Sequence, residues 1–380
     1  MMPLSAMLSD CWRRIQGDLF PWLEEELGPL SDKHKQIITV FEVARIEVFV
    51  EAWSGLPGRP PAERAPLARS FVAKAVLGLP TTAMLIERLD VDKTLRRLCG
   101  WQRRTAVPSE ATFSRAFGEF AECGLPARVH EALIERTLAD RLVGHISRDA
   151  TAIEAREQPV RAAAAPERPK RKRGRPKKAE VVAKKEPRRL QRQAGMTLPE
   201  MLADLPISCN VGTKRNAKGH KESWIGYKLH LDVADGDIPI SCLMTSASLH
   251  DSQVAIPLAT ITAQRVSNCY DLMDSAYDAP EIWEQSRTLG HVPIIDRHPR
   301  SVTGGKIEIA AQALARRHAN YRLAEDVRYN ERSAAERVNG AVKDNYGGRY
   351  VRVRGHAKVF CHLMFGIVAL TVDQLMRLVM

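Results

Sequence analysis

The 380-residue chain lacks the means to be a disulfide-stapled or zinc-organised protein. Its cysteines, Cys11, Cys99, Cys123, Cys209, Cys242, Cys269 and Cys361, are odd in number and scattered, with no Cys-x-x-Cys and no histidine spacing suited to zinc, so reduced thiols in a cytoplasmic protein are expected. No run of ~18 uncharged apolar residues occurs. The most apolar stretch, residues 363–380, is interrupted by Asp373, Gln374 and Arg377, and no membrane partner is expected. The start, MMPLSAMLSDCWRR, has no basic segment followed by an apolar one, which gives no sign of export. Acidic side chains are nearly missing from one place: residues 168–192 carry 13 basic and 2 acidic groups.

That segment holds most of the formal net charge of +12, because residues 1–150 balance 20 basic against 20 acidic groups. Residues 201–300 are mildly acidic (9 basic, 12 acidic), whereas residues 301–380 are basic again (13 against 7). Two positive regions on one chain point to a polyanionic partner, and nucleic acid is the commonest.

Up to about Val143, apolar residues recur at three- and four-residue intervals, as in KQIITVFEVARIEVFVEAW, and predict an all-helical region over 1–142. Within it, Pro108-Ser109 makes a good helix start, with Ser109 and Thr112 available as caps. A helix-turn-helix use with Arg97, Arg103, Arg104 and Arg115 on phosphates competes with a plain helical bundle. At Val143 the period changes, and VGHISRDATAIEA reads as a strand with Asp149 at its end. From 158 to about 200, Pro159, Pro166, Pro169, Pro176 and Pro187 together with few large apolar residues predict a disordered basic insertion. Its Arg173-Gly174-Arg175-Pro176 core resembles the AT-hook, an extended segment that lies along a narrow A·T-rich minor groove. A basic linker gripping phosphates without sequence preference fits equally. Beyond the insertion, GYKLHLDVAD, IPISCLMTSAS, SNCYDLM and HVPIIDR alternate with turns and helical patterns, giving about five strands in an α/β sheet, with Asp274 closing the fourth.

The stretch YNERSAAERVNGAVK follows. On a helix advancing ~100° per residue, Tyr329, Arg332, Glu336 and Lys343 fall within roughly 60° of one another. Such a face is too charged for a core, and a ligand bearing phosphates and a metal ion would account for it. Asp149, Asp274 and Glu336, three carboxylates from separate elements, suit a pair of hard divalent cations that work on the two oxygens of an in-line phosphoryl displacement. Arg332 and Lys343 would then hold flanking phosphates, and Tyr329 would donate to a phosphate or stack on a base. Asp232, at another strand end, competes with Asp149. His250-Asp251 reads as a helix cap.

The spacing Tyr329-x2-Arg332-x3-Glu336-x6-Lys343 resembles the signature of the DDE transposases of bacterial insertion sequences, in the group named for the YREK pattern. The resemblance extends to ISRDATAI, GYKLH, SASLHDSQ, LMDSAYDA and PSEATFSRAF. It implies a ribonuclease H-like mixed sheet flanked by helices over 143–380, with Asp149, Asp274 and Glu336 binding two Mg²⁺ ions, for which Mn²⁺ can substitute. It also implies cleavage of double-stranded DNA at inverted-repeat ends and strand transfer into target DNA, by a homodimer or higher multimer in the cytoplasm at the nucleoid. The alternatives are a DNA-binding protein without catalysis, either a domesticated relative or an AT-hook-type factor, and a metal nuclease that hydrolyses without joining.

Overall fold

The computed structural model describes residues 3–50, 62–139, 141–160, 187–215, 219–298, 305–320 and 322–380. Six strands form one sheet: β1 (Leu142–Glu154), β2 (Asn210–Arg215), β3 (Lys221–Ala234), β4 (Ile238–Ser246), β5 (Ser267–Met273) and β6 (Val292–Ile295). β1 is antiparallel to β3 and β3 to β4, while β1 is parallel to β5 and β5 to β6. The lateral order β4-β3-β1-β5-β6, with helices packed on the sheet, is a ribonuclease H-like arrangement, as the family resemblance implied.

One strand escapes the periodicity. β2 pairs with the first half of β3 as a hairpin, but its sequence, NVGTKR, has neither alternation nor apolar mass to announce it. β1 runs past Asp149 to Glu154, because Thr151 and Ile153 continue its ladder on β3. Asp149 therefore sits inside a strand and not at its end. Where β1 stops, Gly226 of β3 passes so close that a side chain there would meet the Ile153 carbonyl oxygen at 2.1 Å.

The disorder expected over 158–200 does not hold for its last part. Short helices at Arg189–Gln193 and Leu198–Ala203 are folded. Arg189 and Arg192 both bind the Asp204 carboxylate, at 2.7 and 2.9 Å, and Gln193 donates to the Gln253 carbonyl at 3.0 Å. The prolines earlier in the segment hid this local ion-pair network from a composition-based reading. Arg173, Gly174, Arg175 and Pro176 lie outside the described residues.

Before the sheet come the expected helices, among them Asp32–Ala44, Arg64–Val76, Glu110–Glu122 and Leu125–Leu138. Ser109 precedes the third of these, yet its hydroxyl faces Thr112 and caps no amide. All four pack on the long C-terminal helix His356–Arg377. That helix is long and apolar enough to cross a membrane by length and composition alone, but most of it is buried within the protein. Its Phe365 meets Phe71, Phe117 and Phe120, so helices and sheet share one continuous core.

Lys74 is buried in this core, and burial alone pushes its pKa down to about 8, no carboxylate among the described residues pairing with it. Between about 8 and the ordinary 10.5 the unfolded chain binds this proton and the folded chain does not. Stability therefore rises with pH across that window. Lys74→Met is expected to raise unfolding stability at pH 7 by up to about 3 kcal/mol, a difference that fades as pH approaches 10.5. Urea denaturation of both proteins across this range checks it.

Candidate active site

The site forms where two neighbouring strands part. The parallel ladder between β1 and β5 ends at the pair Ser147–Leu272, two residues before Asp149 and Asp274, and Asp274 lies near enough to repel the Asp149 carboxyl. β5 stops at Met273, and Asp274 turns to cap the short helix Ser275–Tyr277, its Oδ1 accepting from the Ala276 amide at 2.9 Å. Two acids thus face one another at a fork in the sheet. Burial pushes the Asp149 carboxyl up to about 6, with Asp274 and Asp251 adding repulsion and Arg332 and a backbone hydrogen bond opposing. Asp274 is raised as well, first by burial and then by Asp251 and Asp296.

The helix Ser333–Asp344 lies across this fork. Ala334, Ala335, Val338 and Val342 bury its inner face against β1 and β3. Arg337 clamps it to the turn between β3 and β4 through two bonds to Asp237, of 2.6 and 2.8 Å. The single continuous helix expected from Tyr329 to Lys343 is not formed. A helix at Ala324–Tyr329 and a 3-10 turn at Asn330–Arg332 precede it, and the Ser147 hydroxyl binds the Arg332 carbonyl at 2.6 Å. Three members of the expected face nevertheless meet. The Arg332 guanidinium lies 5.6 Å from the centre of the Tyr329 ring and donates to Glu336 at 2.7 Å. Arg332 also attracts Asp149 and Asp274, whereas Glu336 is half exposed and points to Arg332. Lys343 stands apart: its charged neighbours are Lys214, Arg349, Asp344 and Glu154, at the far end of β1.

Asp232, the competitor for Asp149, is a structural acid. It is fully buried and takes two bonds from Arg148, of 2.7 and 2.8 Å, and one of 2.6 Å from Thr262. His250 caps the turn after β4, as expected, but Asp251 does not share that task. Its carboxylate is held by Lys228 at 2.8 Å and acts on Asp149, Asp274 and the buried Tyr277. Asn339 was also missed; its amide donates to Asp149 at 3.1 Å. Its place seven residues after Arg332, on the same helical stripe, was the available signal.

The chain belongs to the family whose model is described as "Transposase DDE domain", which matches residues 145–372. A second family, "Transposase domain (DUF772)", matches residues 23–119. No curated protein and no solved structure matched. The protein is therefore a transposase, and its partner is DNA.

Asp149 and Asp274 fit a divalent cation. Both carboxyls are raised by burial and by neighbouring carboxylates, Asp274 and Asp251 acting on Asp149 and Asp251 and Asp296 on Asp274, which a cation relieves, and the Tyr277 hydroxyl and Asn339 carbonyl oxygen near them are buried without a protein partner. Among the described residues no three acidic, histidine or cysteine side chains are grouped to hold an ion. Glu336, engaged by Arg332, is the acid that stands off.

Asp232 and Asp149 differ in a measurable way. Asp232→Ala strands Arg148 and should cost about 3–5 kcal/mol in urea denaturation. Asp149→Asn removes a disfavoured charge, so at pH 7.5 its midpoint should be no lower than that of the parent. The folded state binds the Asp149 proton more tightly, so parent stability falls as pH climbs from the ordinary 3.8 to about 6, and the advantage of Asp149→Asn vanishes below that window.

Proposed function

We propose that this transposase cleaves double-stranded DNA at the inverted-repeat ends of an insertion element and transfers the freed 3′ ends to target DNA. The observation that carries the reading is the fork, where Asp149 and Asp274 lie side by side under the Tyr329–Arg332–Glu336 cluster. Asp149 and Asp274 would hold a divalent cation, Mg²⁺ or Mn²⁺, with Glu336 completing a two-ion site once Arg332 lets it go. A cation bound there supplies positive charge to the phosphoryl transition state and makes water a better nucleophile.

The side chains have separable tasks in this reading. Arg332, oriented by the Tyr329 ring and the Ser147 hydrogen bond, offers its guanidinium to the non-bridging oxygens of the scissile phosphate. Transfer of Arg332 from Glu336 to that phosphate frees the Glu336 carboxylate toward the aspartates. Tyr329 donates to the next phosphate oxygen or stacks on an adjacent base, and Asn339 keeps Asp149 oriented. Lys343 grips the backbone further along. The helical region, residues 1–142, recognises the element ends, and the catalytic region spans 143–380. The basic segment with Arg173, Gly174, Arg175 and Pro176 contributes charge that holds DNA. A dimer or higher multimer pairs the two ends, at the nucleoid in the cytoplasm.

Purified full-length protein with Mg²⁺ and a duplex carrying the repeats that flank its gene should nick at the repeat ends and join them to a second duplex. Glu336→Gln and Asp149→Asn should bind that duplex as tightly as the parent but cut at least about a thousandfold more slowly. Undiminished cleavage by Glu336→Gln would remove Glu336 from the site. Hydrolysis without joining would make the protein a nuclease.

A further inference from the structure

Asp251 opens the short turn Asp251–Val254, which leads into the helix Ala255–Arg265. That turn packs against the turn Ser275–Tyr277, the one that Asp274 caps. An acid at the start of a helix is ordinarily explained by the partial positive charge of the exposed amides there. That charge does not account for three features around Asp251.

The first is its bond to Lys228. The Lys228 ammonium, itself largely buried, is held by the Asp251 Oδ1 and the Leu249 carbonyl, both at 2.8 Å. Among the described residues no hydrogen bond reaches the Asp251 Oδ2, so half of the carboxylate is left for another donor. The second feature is Tyr277. Its side chain is 1 % exposed and its hydroxyl has no hydrogen-bond partner, although Asp251, Asp149 and Asp274 all lie close enough to disfavour its ionisation. A buried hydroxyl left in that state costs about 1–3 kcal/mol, and a molecule bridging it to the acids would remove the cost. The third is reach. Asp251 repels Asp149 and Asp274 alike, yet it does not close with them into a group of three that could hold an ion directly. Its carboxylate is therefore placed to act through water.

An ion of the magnesium class held by one or two carboxylates keeps several waters, and groups that orient such waters tune its affinity. The Asp251 Oδ2 is a free acceptor, and the Tyr277 hydroxyl both accepts and donates. Resting on the cation site given under Proposed function, we propose that Asp251 is a positioning residue for that cation: with the Tyr277 hydroxyl it binds the waters the ion retains, without ligating the ion. Lys228, a fixed positive charge on the same carboxylate, limits how strongly Asp251 draws the ion.

Mn²⁺ binding by the full-length protein without DNA, read from the electron paramagnetic resonance signal of the free ion, tests this apart from cleavage. Asp251→Asn should weaken binding about tenfold. Lys228→Met should tighten it about threefold, because the full charge of Asp251 then acts on the ion. Were the pair only a structural anchor, loss of either partner would loosen the same contact; weaker binding in both variants overturns the proposal. Tyr277→Phe keeps the ring and its packing, so it should weaken Mn²⁺ binding about threefold while its urea midpoint in EDTA stays at or above that of the parent. Parental affinity in Tyr277→Phe overturns the shared water shell. A loss in Asp251→Asn as complete as in Asp149→Asn would make Asp251 a ligand and overturn it equally. Loss in Asp149→Asn with parental affinity in Asp251→Asn removes only the role of Asp251, whereas a parent that takes up no Mn²⁺ removes the cation site and this role with it.

Discussion

Beneath the paired acids lies a buried ion pair on which their geometry depends. Arg148 and Asp232 are direct cross-strand partners on β1 and β3, and the two bonds of the Arg148 guanidinium to the Asp232 carboxylate fasten those strands in register. The same guanidinium reaches the sulfur of Met273 at 3.4 Å on β5, and Thr262, from the helix Ala255–Arg265, binds Asp232 from outside the sheet. Three strands and one helix are thus tied together at the level of Asp149 and Asp274. A slip of one residue between β1 and β3 would turn Asp149 to the opposite face and leave Arg148 without its partner. Replacing such a pair with apolar residues is often tolerated for stability, but it would relax the register that sets the two acids side by side.

The site also balances its charge economically. Arg332 attracts Asp149 and Asp274 and binds Glu336, so one guanidinium opposes three carboxylates. Asp251, a fourth acid close enough to raise both aspartates, is offset by Lys228. The arrangement remains net negative at the fork and turns positive ten or so ångströms along the helix, at Lys343. A polyanion approaching from the positive end is guided toward the acids by its contacts further along, while the acids themselves repel it until a cation intervenes.

How much of this was legible in the sequence follows from the kind of information each feature carries. The α/β order and the helical start were readable because strand alternation and helix spacing are local patterns, and the same patterns put Asp149, Asp274 and Glu336 forward as candidates. Asp149 was misplaced at a strand end because a polar Asp-Ala-Thr reads as a terminus, whereas pairing with β3, a long-range contact, carries β1 on to Glu154. β2 and the helices after Pro187 were hidden for the same reason: what holds them is Gly226 and β3 in one case and Asp204 and Gln253 in the other. Asp251 read as a cap because its partner Lys228 is 23 positions away. Asp232 and Asp149 were indistinguishable until Arg148 was seen to face one and not the other.

The four-residue spacing itself acquires a physical reason from the broken helix. Residues 329 and 332 precede the regular helix, where the 3-10 turn lets the Arg332 side chain fold back over Tyr329 and its carbonyl reach Ser147. Residues 336 and 339 lie one and two turns on, where Glu336 meets Arg332 and Asn339 meets Asp149. Residue 343 lies one turn beyond Asn339, past the fork, where β1 has left β5 and the chain closes over Gly348. The long gap before Lys343 is therefore set by two different sites along one helix. Arg332 and Glu336 belong to the acids, and Lys343 to the basic end of the helix, beside Lys214 and Arg349.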